Sequence, residues 1–267
     1  MTRRFGGRFR RRFGRWGPPV AFVVVVVALV EAFARGGLLT RYVPAPSAIA
    51  TALVRELVNG ELSSQVGTTL GTWAVAFVVA VGLAVVVGLL MGTVPVVYDA
   101  LSTLVDLLRP VPSVSMIPLA ILFFGLGPQM RVVMIVYAAF WPMLVNTLYG
   151  VRSVDPVALD TARNFGTSKL DTLTRVVLPA SLPGIATGIR VAASLALAVT
   201  VTVELVAGDS GIGHYIAQAE QSNRIAPMYA AIVLSGLIGW FINAVFARLE
   251  DRVVFWSPAV QRSAGAV

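Results

Sequence analysis

Cysteine is absent from this 267-residue chain, and histidine and lysine occur once each, as His214 and Lys169. The lack of cysteine excludes disulfides and thiolate metal sites. A lone histidine excludes a histidine metal cluster within one chain. The lone lysine sits in Gly166-Thr167-Ser168-Lys169, so no Gly-x-x-x-x-Gly-Lys-Ser/Thr phosphate loop exists and an ATPase of that type is excluded. Charge is also scarce. Only 13% of residues are charged, where a soluble domain carries about 25%. What fills the space is apolar: 57% of the residues are hydrophobic and the mean hydropathy is +0.82. A bilayer core takes roughly 20 apolar residues per helix. The composition therefore predicts an all-α integral membrane protein.

The net charge is +8, and seven arginines fall in the first fifteen residues: Arg3, Arg4, Arg8, Arg10, Arg11, Arg12 and Arg15. They directly precede an apolar run. Basic residues beside a span are held on the cytoplasmic side and attract anionic headgroups. That accounts for the charge without nucleic acid as a partner. The run resembles a signal peptide, but no small-x-small cleavage pattern follows it, so a retained first span is expected.

Six apolar segments can be counted, at about Pro18–Ala34, Gln65–Val94, Leu101–Leu126, Val132–Tyr149, Leu182–Val206 and Met228–Leu249. About six transmembrane helices follow. With the N-terminus inside, 16 of the 21 Lys and Arg residues fall near the inner face and both termini are cytoplasmic. The layout is then a basic cytoplasmic tip over residues 1–17, expected to be disordered, one transmembrane domain over 18–252 and a cytoplasmic tail over 253–267. Ala48–Val58 is expected to form a surface helix along the membrane.

The cytoplasmic stretch of about 151–183 reads as a helix-turn-helix. Asp155 is an N-cap and Pro156 suits the first helical position. A helix over Val157–Phe165 stops at Gly166. Thr167 or Ser168 caps a second helix over Lys169–Leu178, which Pro179 and Pro183 are expected to end. Val157, Ala158, Thr161, Ala162 and Phe165 share one side of the first helix. That side suits either a groove in a partner or the inner ends of the chain's own spans.

Asp160-Thr161-Ala162-Arg163-Asn164-Phe165-Gly166, followed by Leu178-Pro179, resembles the EAA loop of ABC importer permeases. Asp160 and Thr161 stand where that motif has Glu and Ala. The likeness extends to Arg109-Pro110-Val111-Pro112, Pro118 to Gly125, Asn146-Thr147, Gly150 to Pro156, Glu204-Leu205 and Gly211-Ile212-Gly213. These look like the branch that imports nitrate, taurine, aliphatic sulfonates and thiamine-precursor pyrimidines. The resemblance implies a permease subunit that works as a pair, a homodimer by the habit of this branch. Each copy would dock its loop through Asp160, Thr161, Ala162, Arg163, Phe165, Gly166, Ser168, Leu178 and Pro179 onto one of two ATP-binding subunits. No cofactor is expected in this chain, since ATP and Mg belong to those subunits. An extracytoplasmic solute-binding protein is the further partner, and a bacterial cell membrane the location.

Candidate pathway residues come from the spans. Prolines at membrane depth mark backbone that is buried in protein or lines a cavity. Pro110, Pro112, Pro118 and Pro142, with Ser113, Ser115 and Met116 among them, therefore point to the third and fourth segments as pore-lining. Intramembrane ionisable residues are functional candidates by default, which singles out Glu204, with Ser194 and Thr200 adding polarity to the same span. Glu204 also fits a buried partner for an arginine or a backbone amide. Gly208-Asp209-Ser210-Gly211 with His214 nearby admits a remote alternative, a rhomboid-like intramembrane serine protease. It needs the serine and histidine within hydrogen-bond range.

Overall fold

The computed structural model describes residues 7–37 and 42–256, with side chains from residue 20 onward. Arg3, Arg4, Arg41 and Arg262 lie outside the described residues, as does most of the 253–267 tail. Among the described residues every regular element is helical. In chain order these are α1 (Gly7–Arg35), α2 (Pro46–Val58), α3 (Glu61–Thr93), α4 (Pro95–Leu108), α5 (Ile117–Phe124), α6 (Pro128–Arg152), α7 (Pro156–Asn164), α8 (Lys169–Thr172), α9 (Leu178–Ala207), α10 (Ile212–Gln221) and α11 (Ile225–Val253). A 3₁₀ turn at Ser113–Met116 precedes α5, and a π turn at Leu173–Val177 joins α8 to α9.

Among the described residues four helices are long and apolar enough to cross a membrane: α3, α6, the continuous Lys169–Ala207 helix, and α11. The third predicted segment is not one straight span. It is α4 and the Ser113–Phe124 helix, bent by 87°. The cause is local. Pro112 has no N–H for the Leu108 carbonyl that an unbroken helix would bond to it. The Val111 N–H closes a tight turn onto that carbonyl at 3.2 Å, and the Tyr137 hydroxyl on α6 donates to it at 2.9 Å. The first segment lies in α1, which begins at Gly7 rather than Pro18. The expected disordered tip is thus helical from Gly7 on, and the stretch up to Gly17 carries good helix-forming arginines and no β-branched residue.

Pro179 and Pro183 do not end a helix as expected. The π turn widens the backbone so that the Leu178 N–H bonds Leu173 O. Pro179 then enters α9 in its first turn, where a missing donor is tolerated. The second helix of the 151–183 stretch and the fifth span are consequently one rod.

Small residues let the spans close up. Ala76, Ala80, Ala84, Gly88 and Gly92 repeat every four residues on α3, as do Gly184, Gly188, Ala192 and Ala196 on α9. Such stripes allow close backbone approach in a membrane. A Cβ on Gly184 would lie 2.8 Å from the Gly150 Cα on α6, and one on Gly88 would lie 2.8 Å from Thr147. α3 and α6 run parallel: Gly88 meets Thr147 and Gly92 meets Val151 near their C-terminal ends. α3, α6 and α9 thus share a core that includes Ala80, Met134, Met143, Leu144 and Ala196. One end of this bundle carries the loop around α7. The other carries the turn between α9 and α10.

α2 is not simply a surface helix. Ala52 and Glu56 are buried. Glu56 pairs with Arg224 at 3.1 Å, just before α11. At the start of α2, Glu31 of α1 accepts hydrogen bonds from the Ser47 N–H and hydroxyl.

Candidate functional site: the loop around α7 and the opposite turn

The loop is held by caps at each step. The Asp155 carboxylate accepts the Val157 N–H at 2.8 Å, supplying an acceptor for one of the free donors at the start of α7. At the other end Gly166 has φ of 70°. Its N–H bonds Arg163 O, and the Thr167 N–H bonds Ala162 O. These two bonds form a Schellman closure, which calls for a residue that tolerates the left-handed conformation. Ser168 then opens α8: its hydroxyl oxygen accepts the Asp171 N–H and its O–H donates to the Asp171 carboxylate at 2.6 Å. Of the two expected caps it is therefore Ser168 that acts.

Two apolar sides emerge. Ala162 and Leu159 face the bundle, where Val151, Val154 and Val177 make a small core with Leu89, Leu173 and Val176. Val157, Ala158, Thr161 and Phe165 face away. Val157 is 70% exposed, Phe165 84% and Leu170 70%. The expected single face is split: Ala162 anchors the helix, and the rest is uncovered. Asp160 and Arg163 form an exposed pair at 3.2 Å. A pair of this kind contributes less than about 1 kcal/mol to a fold. Leu178 packs on the main core, and Pro179 is exposed beside it. Arg152 lies over the Tyr98 ring, 3.5 Å from its centroid, and ties α6 to α4 next to the loop.

At the opposite end Glu204 is fully buried. Its Oε2 accepts from the Thr69 hydroxyl at 2.8 Å and the Gly213 N–H at 3.2 Å. Thr69 Oγ1 in turn accepts the Ile212 N–H, and Gln65 accepts the Gly211 N–H at 2.6 Å. Three backbone donors at the start of α10 are thereby satisfied by side chains of α3 and α9. Arg131, also buried, donates to the backbone and hydroxyl oxygens of Ser210 and pairs with Asp209 at 3.0 Å. The Ser210 hydroxyl, assisted by Arg131, holds the exposed Asp209 carboxyl below its ordinary range. Arg131, Gln65 and Thr69 carry this arrangement and are not visible as site residues in the sequence, because each lies far along the chain from the turn it holds. The glycines at 208, 211 and 213 were the available signal.

The remaining candidates fall into two groups. Pro112 and Pro118 are exposed on the single chain, and Ser113, Met116 and Ser194 are half-buried. Thr200, like Glu204, is enclosed, and its hydroxyl donates to the Ala196 carbonyl of its own helix. The structure therefore gathers Pro112, Ser113, Met116 and Pro118 at the break of the bent span and keeps Thr200 and Glu204 inside the bundle. Ser210 and His214 have separate partners. Ser210 is bonded to Asp209 and Arg131, while His214 Nδ1 lies 2.9 Å from Gly208 O. No nucleophile–base contact joins them.

Residues 80–255 match the family of binding-protein-dependent transport system inner membrane components. The chain belongs to this family. The match takes in the second half of α3, the bent α4–α5 pair, α6, the α7 loop, α9, the α9–α10 turn and α11. Among similar proteins, the taurine transport system permease protein TauC of Escherichia coli is 31% identical over 66% of this chain and 64% of its own length. SsuC of Bacillus subtilis, named for aliphatic sulfonate transport, is 28% identical over 92% of this chain and 90% of its own. NrtB of Leptolyngbya laminosa, a nitrate import permease protein, is 32% identical over 62% of this chain and 60% of its own. The chain thus matches just under two thirds of the length of TauC and NrtB and nearly all of SsuC. The fold matches solved transporters of this kind. A chain of a bacterial importer of the acidic polysaccharide alginate superposes with a TM-score of 0.66 at 13% identity, covering 92% of this chain and 99% of that one. A chain of the inward-facing MetNI methionine transporter gives 0.65 at 18% identity, over 74% and 99%.

Proposed function

We propose that this chain is the permease subunit of an ATP-driven importer and that the α7 loop transmits the ATPase stroke to the spans. One observation carries the reading. An apolar patch of Val157, Thr161 and Phe165 stands exposed on a short helix that is capped at both ends. The next element after its glycine turn runs on without a break into a membrane span. A docked partner that moves α7 therefore pulls on a stiff rod. ATP and Mg would be bound by a separate subunit, two of which serve two permease copies, with Asp160, Thr161, Ala162, Arg163, Phe165, Gly166, Ser168, Leu178 and Pro179 forming or framing each docking surface.

The loop end then faces the cytoplasm, and the α9–α10 turn faces the solute-binding protein outside. The location is the bacterial cell membrane, with both termini inside. A homodimer places the bent span and its Pro112, Ser113, Met116 and Pro118, with Ser194, along the pathway. The names of TauC, SsuC and NrtB favour a small anion such as a sulfonate, taurine or nitrate as solute.

The test is uptake in vesicles that hold this chain with its ATP-binding subunit and binding protein. Uptake should require all three components and ATP. Uptake that persists without the ATP-binding subunit would turn the reading toward a channel or secondary carrier.

A further inference from the structure

We infer that Glu204, Arg131, Thr69 and Gln65 are positioning residues that lock the 208–213 turn across the outer ends of α3, α6 and α9, and that Glu204 touches neither solute nor a transported proton. The inference rests on the importer reading above.

A lone carboxylate inside an apolar span ordinarily marks a pathway or a proton relay. Here the geometry points elsewhere. The Glu204 side chain is enclosed, and the hydrogen-bonding partners of its Oε2 are donors of the same chain. Those donors belong to α3 and to the start of α10. Arg131 grips the same turn from α6 through Ser210 and Asp209. Three separate spans are thus fastened to six residues of backbone. The glycines show that the turn is moulded around the carboxylate. A Cβ at Gly211 would collide with the Glu204 carboxylate, and one at Gly213 would collide with the Val201 carbonyl. Gly211 also has φ of 101°, which other residues rarely adopt.

Such a tie has a use in an importer. When the ATPase stroke moves the α8–α9 rod at the loop end, the motion must reach the outer end without splaying the spans. A turn bonded to α3, α6 and α9 together makes their outer ends travel as one body.

The atoms supply a discriminating variant. Oε2 accepts two hydrogen bonds, while Oε1 is buried without a partner. Glu204→Gln keeps an acceptor oxygen for Thr69 and Gly213, loses the charge and places an amide NH2 where Oε1 has no partner. Glu204→Ala loses the acceptor. A positioning role therefore predicts that Glu204→Gln, which keeps the acceptor, transports well above Glu204→Ala, which loses most uptake. Hydrogen exchange adds a readout of position: the Gly213 amide should exchange about tenfold faster or more in Glu204→Ala, as expected when its buried hydrogen bond to Glu204 is lost, the Ile212 amide should follow because its acceptor Thr69 loses Glu204 as a partner, and both should exchange more slowly in Glu204→Gln than in Glu204→Ala. Arg131→Ala should show the same uncoupling, with ATP still hydrolysed but little solute moved.

The measurement is uptake, ATP hydrolysis and amide exchange in the assembled complex for these variants. A Glu204→Gln complex whose turn amides stay protected but which is as dead as Glu204→Ala would overturn the inference, since charge would then be the essential feature. So would a Glu204→Ala complex with normal uptake, or one whose turn amides stay protected. Wild-type complexes without ATP-dependent uptake would instead refute the importer reading itself.

Discussion

Gly166 is the position where the loop is most exposed to a clean test. Its φ of 70° lies in the left-handed region, and a Cβ added there meets nothing within 4 Å. Any effect of a small substitution is therefore conformational rather than steric. A non-glycine residue held left-handed costs roughly 1–2 kcal/mol, less for asparagine, which tolerates that region better. The Asp155 and Ser168 caps each contribute about 1 kcal/mol to the same hairpin, so Gly166→Ala should weaken the loop without abolishing it. Gly166→Pro is different in kind. Proline fixes φ near −65°, disfavours the helical conformation of the preceding Phe165 and deletes the N–H that bonds Arg163 O. That removes half of the Schellman closure at a cost of about 3 kcal/mol or more. Uptake should fall in the order glycine, asparagine, alanine, proline, with only the proline variant near background. Membrane insertion and thermal stability of the spans should stay close to wild type in all three variants. The assay is ATP-dependent uptake in vesicles, with ATP hydrolysis followed in parallel. Full uptake by Gly166→Pro would refute the lever, and equal damage from alanine and proline would refute the conformational argument.

Two further outcomes follow from the packing and the charges. Gly184→Val should drive α6 and α9 apart, because its Cβ meets backbone atoms of Gly150 and Asn146; a destabilisation of about 2 kcal/mol or more is expected, read as a lowered melting temperature. Burial pushes the Glu56 carboxyl up, but Tyr215 and Arg224 outweigh that and hold it below its ordinary value of 4.5. A carboxyl lowered in the folded state adds stability that is present above that value and is lost as pH falls below it. Thermal unfolding should show a decline below about pH 4.5 that Glu56→Gln largely removes; an identical decline in the variant would assign it to other carboxylates.

Much of the loop is legible in the sequence because its chemistry is local. Asp155-Pro156, Gly166 and Ser168 each act on backbone within a few residues, and each does in the structure what its type suggests. The apolar segments are legible for the same reason, since span length and hydropathy are properties of a window. What sequence alone does not reveal is set by distant partners. Pro179 reads as a helix end, yet the π turn before it keeps the rod continuous. The third segment reads as one span, yet it breaks at Pro112 and bends by 87°, with Tyr137 of α6 bonded to the freed Leu108 carbonyl. Glu204 reads as either a pathway group or a buried partner. Its surroundings come from Thr69 and Gly213, with Arg131 on the same turn, and no spacing rule links these residues.

The central claim is that the uncovered side of α7 serves a partner and not the chain's own fold. Phe165→Ala tests it most directly. The ring is 84% exposed, so its removal takes almost nothing from the protein's own packing. The account predicts a variant that inserts and melts like the wild type but loses ATP-dependent uptake and stimulation of the ATP-binding subunit. Normal uptake by a normally folded Phe165→Ala protein would contradict it.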